Sequence, residues 1–307
     1  MTARPSPAAT VPPGHGSPAD EEPATGPGAR WTATATLRAL PGPLLLLLGA
    51  ATATHSVVVY ELRIVAVYTV LAVLLAVSLW RSGGRIRLTP VASAVMLAVT
   101  AGILLAVPGF TYLGPGPAGT VRAVLAVAAL VAAVTQLLPW RRAADAGLAV
   151  AVVGYLVATA LLVHGDPAPR IDVWYTLQGA ADALARGDDP YTQVWVGPPG
   201  IMSAFTYLPW MAVLLAPGRW LAGDVRWMLA VLTVAGALVV RGFAGRSAGP
   251  GGVRAAAALA GLLLLLPGTP TQVEQAWTEP VLLACLAGAG LALLRRRTLL
   301  AALLLAL

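Results

Sequence analysis

The residues best suited to chemistry stand in one polar stretch of an otherwise apolar chain. The segment PRIDVWYTLQGAADALARGDDPYTQVW, residues 169–195, places four aspartates within 18 residues and interleaves them with Trp, Tyr and Gln. A carboxylate beside a substrate hydroxyl can act as a general base, because it accepts the proton that the hydroxyl loses on attack. Asp172 lies between aromatic residues at the start of a predicted helix, and we interpret it as the candidate catalytic base. The alternative is that Asp172 only complements the helix dipole.

Asp188 and Asp189 belong to the same stretch but have a simpler interpretation. They come directly before Pro190, where a pair of aspartates commonly forms a turn. We favour the turn and keep substrate binding as the alternative for both residues.

A second acidic stretch lies about a hundred residues further along the chain. The sequence PGTPTQVEQAWTEP, residues 267–280, carries Glu274, Gln275 and Glu279 between two apolar runs. If both stretches face the same compartment, their carboxylates can converge and supply a base together with a contact to a donor phosphate or a hydroxyl. The alternative is a solvated loop with Glu279 at a favourable helix start.

Residues 171–186 predict an amphipathic helix. Apolar side chains recur at three- and four-residue spacing and form one stripe, made of Ile171, Trp174, Leu177, Ala181 and Leu184. Gly187 stands where a helix C-cap glycine belongs, and Pro190 prevents the helix from resuming. We expect this helix to lie flat in the outer headgroup layer, with Trp174 as its anchor.

The composition is that of an integral membrane protein. Of 307 residues, 58% are apolar and only 11% are charged, whereas soluble domains carry about 25% charged residues. The net charge of +7 comes entirely from arginines, which we interpret as orienting helices in a bilayer. Nucleic acid is therefore not an expected partner. The single cysteine, Cys285, rules out an internal disulfide.

The element pattern predicts an all-α, polytopic transmembrane bundle. About 20 apolar residues cross a bilayer, and the candidate spans are 42–59, 64–80, 88–107, 121–139, 145–164, 226–243, 255–267 and 279–294. The breaks between them hold most of the arginines, namely Arg81, Arg85, Arg87, Arg141, Arg142, Arg241, Arg246, Arg254, Arg295, Arg296 and Arg297. Arginine-rich loops favour the cytoplasm, which places loops 108–120, 165–200 and 268–278 outside.

Four parts follow from this pattern. Residues 1–38 are rich in Pro, Ala, Gly, Ser and Thr and predict a disordered cytoplasmic tail. Residues 39–164 hold about five membrane helices, residues 165–200 form the extracytoplasmic acidic loop, and residues 201–307 hold further membrane helices. The last apolar stretch, TLLAALLLAL, is half a crossing, so we expect the chain to be truncated at its C-terminus.

The apolar segment 201–222 conflicts with a simple count of crossings. Only one net crossing fits between the outer loop that ends near 200 and the arginines that begin at 241. We favour a re-entrant or interface-lying segment, because Pro209 and Pro217 interrupt it. The alternative is that the loop from Arg241 to Arg254 faces outward.

This combination resembles the GT-C membrane glycosyltransferases, and most closely the bacterial branch of polyprenyl-phosphomannose-dependent mannosyltransferases. In that family an outer loop opens with an Asp, continues as an interface helix and ends in a G-x-x-P-Y-like turn. Asp172 and the stretch GDDPY, residues 187–191, match these elements. An aromatic-Pro segment follows, matched by FTYLPW at 205–210, and a later Q…E loop is matched by Gln275 and Glu279.

The resemblance implies transfer of a sugar from a polyprenyl-phosphate donor to a glycan or glycolipid acceptor outside the plasma membrane. Asp172 would be the base, and Arg170 or Arg186 would steady the departing phosphate. No cofactor is identified, and a divalent metal stays an open alternative. The candidate substrate-binding residues are Arg170, Tyr175, Gln178, Arg186, Asp188, Asp189, Tyr191, Tyr207, Glu274, Gln275 and Glu279. The rival interpretations are a transporter or lipid flippase and a non-catalytic membrane assembly protein.

Overall fold

The computed structural model of the chain describes Leu44 and residues 62–81, 88–106, 110–197, 200–244 and 249–307. Eleven α-helices occur within these residues: α1 (Leu62–Arg81), α2 (Pro90–Ala106), α3 (Pro115–Leu137), α4 (Ala143–Gly165), α5 (Asp172–Arg186), α6 (Pro209–Ala222), α7 (Arg226–Gly242), α8 (Gly249–Leu265), α9 (Gly268–Glu274), α10 (Glu279–Leu294) and α11 (Thr298–Ala306). A 3₁₀ turn (Pro190–Thr192) and an antiparallel hairpin, β1 (Trp195–Gly197) with β2 (Gly200–Met202), complete the regular structure. The prediction of a helical chain is confirmed. The predicted tail 1–38 lies outside the described residues.

Two helices are long and apolar enough to cross a membrane on their own. They are α3 and α4, with 23 residues each. Two further crossings are available if each bent pair of helices counts as one span, namely α6 with α7 and α8 with α9. Three shorter apolar helices of 10–17 residues are also present, namely Val65–Arg81 within α1, and α2 and α10. Two to four candidate spans are therefore present among the described residues.

The larger hydrophobic core is built by α2, α3, α4 and α8. Small residues let α3 and α4 approach closely: a Cβ atom at Gly147 would clash with Thr135, and one at Gly154 would meet Ala128. Helices in membranes commonly pack through such small residues, because lipid supplies no hydrophobic drive to bring them together. The bundle is thus a scaffold whose two ends carry the polar loops.

The arginine-rich loops meet at one end of this bundle. Arg254 donates through Nη1 to the carbonyl of Gln136 at 2.9 Å and through Nη2 to that of Leu138 at 2.9 Å. Arg241 pairs with Asp145 at 2.8 Å, at the start of α4. We call this end, formed by residues 138–145, 241–244, 249–254 and 295–297, the arginine end. Arg241 and Arg254 therefore lie beside the segment that holds Arg141 and Arg142.

The predicted outer loops meet at the opposite end. Loop 110–114 contacts Gly165 through Leu113, because a Cβ at Gly165 would lie 2.9 Å from the Leu113 side chain. Glu274, at the end of α9, bonds to the backbone of the same loop. We call this end, formed by residues 110–114, 166–172, 223–226 and 274–279, the polar end. The candidate site depends on the presence of these four segments at the same end of the bundle.

A second core packs α5 against α6 and the first turns of α7. The predicted stripe faces inward, since Trp174 is only 9% exposed and Leu177 and Ala181 are fully buried. The expectation that Trp174 anchors the helix in the headgroup layer is therefore wrong. Its indole is covered by protein, and Nε1 donates to Asp224 at 3.1 Å.

The chain turns sharply between α6 and α7, with an angle of 118° between the two helices. The turn is made at Gly223, whose φ of +80° suits glycine, whereas Pro217 lies inside α6. Within segment 201–222, helix α6 begins at Pro209 and continues through Pro217, so the expectation that Pro217 interrupts the segment is wrong; the sharp turn follows the segment. After the turn, α7 runs from the polar end to the arginine end, and α6 lies against α5.

Candidate functional site

Asp172 lies at the polar end, in the first turn of α5. Its side chain is exposed, and Oδ1 accepts a hydrogen bond from the backbone N–H of Val173 at 2.9 Å. No ion pair holds Asp172 within the described part of the chain. The preceding residue, Ile171, is extended and offers no side-chain cap, so Asp172 alone supplies the negative charge at this helix start. The carboxylate is accessible to a substrate.

Two tyrosines lie within electrostatic reach of Asp172. Burial raises the pKa of Tyr207, and the carboxylates of Asp172 and Glu279 raise it further. Burial also raises the pKa of Tyr112, and the charges of Glu274, Asp172 and Asp166 add to the effect. Carboxylates from both predicted outer loops thus act on the same hydroxyl, that of Tyr207. Of the second acidic stretch, Glu279 is the carboxylate that acts on Tyr207 together with Asp172.

An aromatic cluster holds Tyr207 in place. Phe205 is its buried centre, with ring centroids 5.4 Å from Tyr191, 6.4 Å from Trp195 and 5.6 Å from Tyr207. The Tyr191 hydroxyl donates to the Tyr207 carbonyl at 2.7 Å. Edge-to-face rings of this kind fix each other's orientation. Tyr191 and Tyr207, both candidate substrate-binding residues, are therefore in contact.

The hairpin closes over α5 because two glycines leave room for its side chains. The Trp195 indole lies so close to Gly179 of α5 that a Cβ atom at position 179 would clash with it. Gly197 of β1 does the same for the ring of Tyr175, which would lie 2.8 Å from a Cβ. Tyr175 is half-buried beneath the hairpin and packs edge-to-face on Trp174 at 4.9 Å.

Glu274 and Gln275 have a different role from the one predicted. Glu274 is fully buried, and its Oε1 accepts hydrogen bonds from three consecutive backbone N–H groups, those of Thr111 at 2.9 Å, Tyr112 at 2.7 Å and Leu113 at 2.9 Å. Gln275, 1% exposed, donates through Nε2 to the Thr111 hydroxyl at 3.1 Å. Neither side chain is open to a substrate. Together they fasten loop 110–114 and so place Tyr112 at the polar end.

Gln178 is likewise structural. Its Oε1 accepts from the N–H of Val225 at 2.9 Å, and its Nε2 donates to the carbonyl of Gly223 at 3.2 Å. The amide therefore replaces two missing backbone bonds at the α6–α7 turn. With the side chain buried, the prediction that Gln178 binds substrate is wrong.

Arg186, Asp188 and Asp189 lie at the far end of α5. The 14 steps from Asp172 to Arg186 span about 21 Å along a helix, so Arg186 cannot reach a phosphate held beside Asp172. Arg186 instead pairs with Asp188 at 2.8 Å. Asp189 caps the 3₁₀ turn by accepting from the N–H of Tyr191 at 2.9 Å. The turn interpretation of these aspartates is favoured, and the exposed Arg170 is the predicted cation that stays near Asp172.

Two residues of this region, Asp224 and Arg226, were not singled out from the sequence. Arg226 is fully buried and pairs with Asp224, with Nη2 2.7 Å from Oδ2 and Nε 3.0 Å from Oδ1. Nη2 also donates to the Asp166 carbonyl at 2.7 Å, and the guanidinium carbon lies 5.9 Å from the centre of the Trp174 ring. The available signal was the pattern GDVR at 223–226, charges between two apolar segments. We call Asp166, Trp174, Asp224 and Arg226 the arginine hub.

Asp166 is a partly buried carboxylate of the polar end, in addition to the fully buried Glu274. Burial raises the pKa of Asp166, although the charges of Arg226 and Arg170 act in the opposite direction. Within the described residues, no group of three or more His, Cys, Asp or Glu side chains is arranged to hold a metal ion.

The site that results is an acidic and aromatic surface at one end of a helical bundle. It combines Asp172, Tyr207 and Glu279 with Tyr112 and Arg170 at its edge. Comparison of the chain with protein-family models, with characterised proteins and with solved structures finds no match.

Proposed function

We propose that this chain is a multi-pass plasma-membrane glycosyltransferase that moves a sugar from a polyprenyl-phosphate donor to an extracytoplasmic glycan or glycolipid acceptor. Mannose is the sugar that the sequence resemblance suggests. The observation that carries the proposal is the convergence of Asp172 and Glu279 on Tyr207, from two loops about a hundred residues apart. Convergence of this kind is what a reaction between two bound substrates requires.

Asp172 acts as the general base in this mechanism. The acceptor hydroxyl attacks the anomeric carbon of the sugar, its proton passes to the Asp172 carboxylate, and the bond from the anomeric carbon to the lipid phosphate breaks. The exposure of Asp172 and its place at a helix start support this role, because the carboxylate is open to the acceptor and lies where a helix favours negative charge. Arg170 is the cation available to the departing phosphate.

The apolar helices around the site suit a donor that never leaves the bilayer. Helices α3 and α4 extend between the arginine end and the polar end. They expose apolar side chains, namely Val127, Leu130, Val131, Val134, Val153 and Val157. A polyprenyl chain can lie against such a surface while its phosphate and sugar reach the polar end. The reaction then takes place where the membrane meets water.

The test is sugar transfer by the purified protein in lipid vesicles. With a radiolabelled polyprenyl-phosphate mannose as donor and membrane glycolipid as acceptor, Asp172→Asn is expected to lower the rate by about 10²–10⁴-fold, the usual contribution of a general base. The matched control is Asp145→Asn, which makes the same change in an Asp paired with Arg241 at the opposite end. A rate in Asp172→Asn equal to that of the control would remove Asp172 as the base.

A second candidate is a transporter or flippase, which the buried Arg226 and Asp224 favour. Ionisable groups buried in membrane proteins commonly form coupling or relay sites, and Arg226 is fully buried at the end of a candidate span. This reading predicts solute uptake or lipid movement in reconstituted vesicles without any sugar transfer. The two candidates are separated by assaying both activities in one preparation.

A further inference from the structure

The contribution of the Arg226–Asp224 ion pair to the stability of the fold does not explain why the pair is buried. Arg226 is 0% exposed and Asp224 is 5% exposed. Burying two charges costs about as much as their attraction returns, so apolar residues of the same size often stabilise a fold as well or better. Two buried atoms of the arginine hub, Nη1 of Arg226 and Oδ2 of Asp166, have no hydrogen-bond partner among the described residues. Such atoms ask for an explanation beyond packing.

The hub touches both ends of one short segment. At residue 166, the backbone carbonyl accepts a hydrogen bond from Arg226 Nη2 at 2.7 Å. At residue 174, the indole lies 5.9 Å from the guanidinium and donates to Asp224 at 3.1 Å. Between these two anchor points lie Arg170 and Asp172. One buried arginine thus bridges the end of α4, the start of α5 and the start of α7.

We propose that Arg226 is a positioning residue, which fixes segment 166–174 at both ends and thereby sets the place of Asp172 above the site. This inference rests on the proposed function, because it assigns the hub a role through the candidate base. Arg226 itself touches no substrate, since it is wholly enclosed. A displacement of the base by about 1 Å is enough to lower a rate by about a hundredfold.

The geometry requires an arginine rather than any cation. A planar guanidinium can pair with Asp224 through two nitrogens, donate to Asp166 and lie against an indole at the same time. Lysine at position 226 keeps the charge that neutralises Asp224, but it offers a single nitrogen. Arg226→Lys is therefore expected to fold and to keep the ion pair while losing the bond to the Asp166 carbonyl.

The position of the segment can be measured without any enzyme assay. In a Cys285→Ala background, spin labels at Ala168→Cys and Thr120→Cys report the distance from the segment to α3, and both positions are exposed. The unchanged hub is expected to give one narrow distance distribution, and Arg226→Lys a broad one. The matched control is Arg241→Lys, which alters an Arg–Asp pair at the opposite end and is expected to keep the distribution narrow. A narrow distribution in Arg226→Lys would overturn the proposal.

The second readout separates positioning from a structural role. Per folded molecule, Arg226→Lys is expected to lower kcat by about ten- to a hundredfold with little change in the donor KM, because misplacement of a base affects the chemical step and not ground-state binding. An unchanged kcat alongside a broad distribution would also overturn the proposal. If the unchanged protein transfers no sugar, the proposed function fails, and the distance measurement alone decides whether Arg226 fixes the segment.

Discussion

At the scale of single residues, burial decides what each carboxylate of the polar end does. Asp172 is exposed and has a single local hydrogen bond, whereas Glu274 is enclosed and accepts three backbone N–H groups. A buried carboxylate with that many donors is a structural fastener, since removing it leaves donors without partners. The two residues are chemically alike in sequence, and only the surroundings separate their roles.

Glu274→Ala is predicted to lower the free energy of unfolding by about 3 kcal/mol, because it deprives three backbone N–H groups of a charged acceptor. Glu274→Gln keeps a carbonyl oxygen for the same donors and is expected to cost less, about 1 kcal/mol. Thermal unfolding in detergent gives the ranking, with the exposed Glu279→Ala as the control. Stability equal to that of the control, together with weaker donor binding, would return Glu274 to the substrate-binding set.

The pKa of Tyr207 reports the convergence of the two loops. Burial, and then the charges of Asp172 and Glu279, hold this pKa above the ordinary value for tyrosine. Asp172→Asn and Glu279→Gln are each predicted to lower it, and the double variant is predicted to lower it further, to the level that burial alone sustains. The measurement is a tyrosinate absorbance titration, taken as the difference from Tyr207→Phe. A pKa that ignores both substitutions would mean that the loops do not meet at this hydroxyl.

At the scale of elements, helix α5 shows which features can be predicted from the local sequence. The predicted span 171–186 agrees with the observed Asp172–Arg186, and Gly187 ends the helix with φ +78°. Spacing and a C-cap glycine are local signals, so they predict an element and its inner face. They do not name the surface that covers that face. Trp174 was therefore assigned to lipid, whereas α6 and α7 cover it.

Gly187→Ala is predicted to destabilise the end of α5, because a side chain at positive φ costs about 1 kcal/mol. The cap is specific: Gly187 donates to Leu184 at 3.1 Å and Asp188 donates to Ala183 at 2.9 Å. Gly187→Asn is the matched variant, since asparagine tolerates this conformation better. Thermal unfolding should rank the parent above Asn and Asn above Ala. Equal stability of all three would contradict the assigned turn.

The α6–α7 corner marks the limit of prediction at this scale. The sequence indicated an interruption between residues 201 and 222, and the prolines were the visible reason. The observed corner depends on long-range bonds instead, in which Gln178 of α5 replaces backbone partners at Gly223 and Val225. Contacts between positions 45 or 47 residues apart leave no periodic signal. The arginine hub was not predicted for the same reason, because its contacts join residues 60 and 50 positions apart.

At the scale of the whole molecule, the described part of the arginine-rich loops and the acidic loops lie at opposite ends of one bundle. Arg241 and Arg254 join residues 136–145 at the arginine end, and loop 110–114 joins Glu274 at the polar end. This segregation was predicted from charge alone, because arginines decide which loops stay in the cytoplasm. The pairing of particular loops within each end was beyond that rule.

Membrane sidedness gives the decisive measurement for this arrangement. In a Cys285→Ala background, single cysteines at Asp172 and Glu279 are predicted to react with a membrane-impermeant thiol reagent in intact cells, while one at Arg141 is predicted to react only after permeabilisation. All three positions are exposed, so a lack of reaction cannot be attributed to burial. Because Asp172 and Glu279 both raise the pKa of Tyr207, we expect them to share a compartment whichever way the bundle is oriented. Labelling of all three from outside would invalidate the assigned orientation, and labelling of 172 and 279 from different sides would dismantle the site itself.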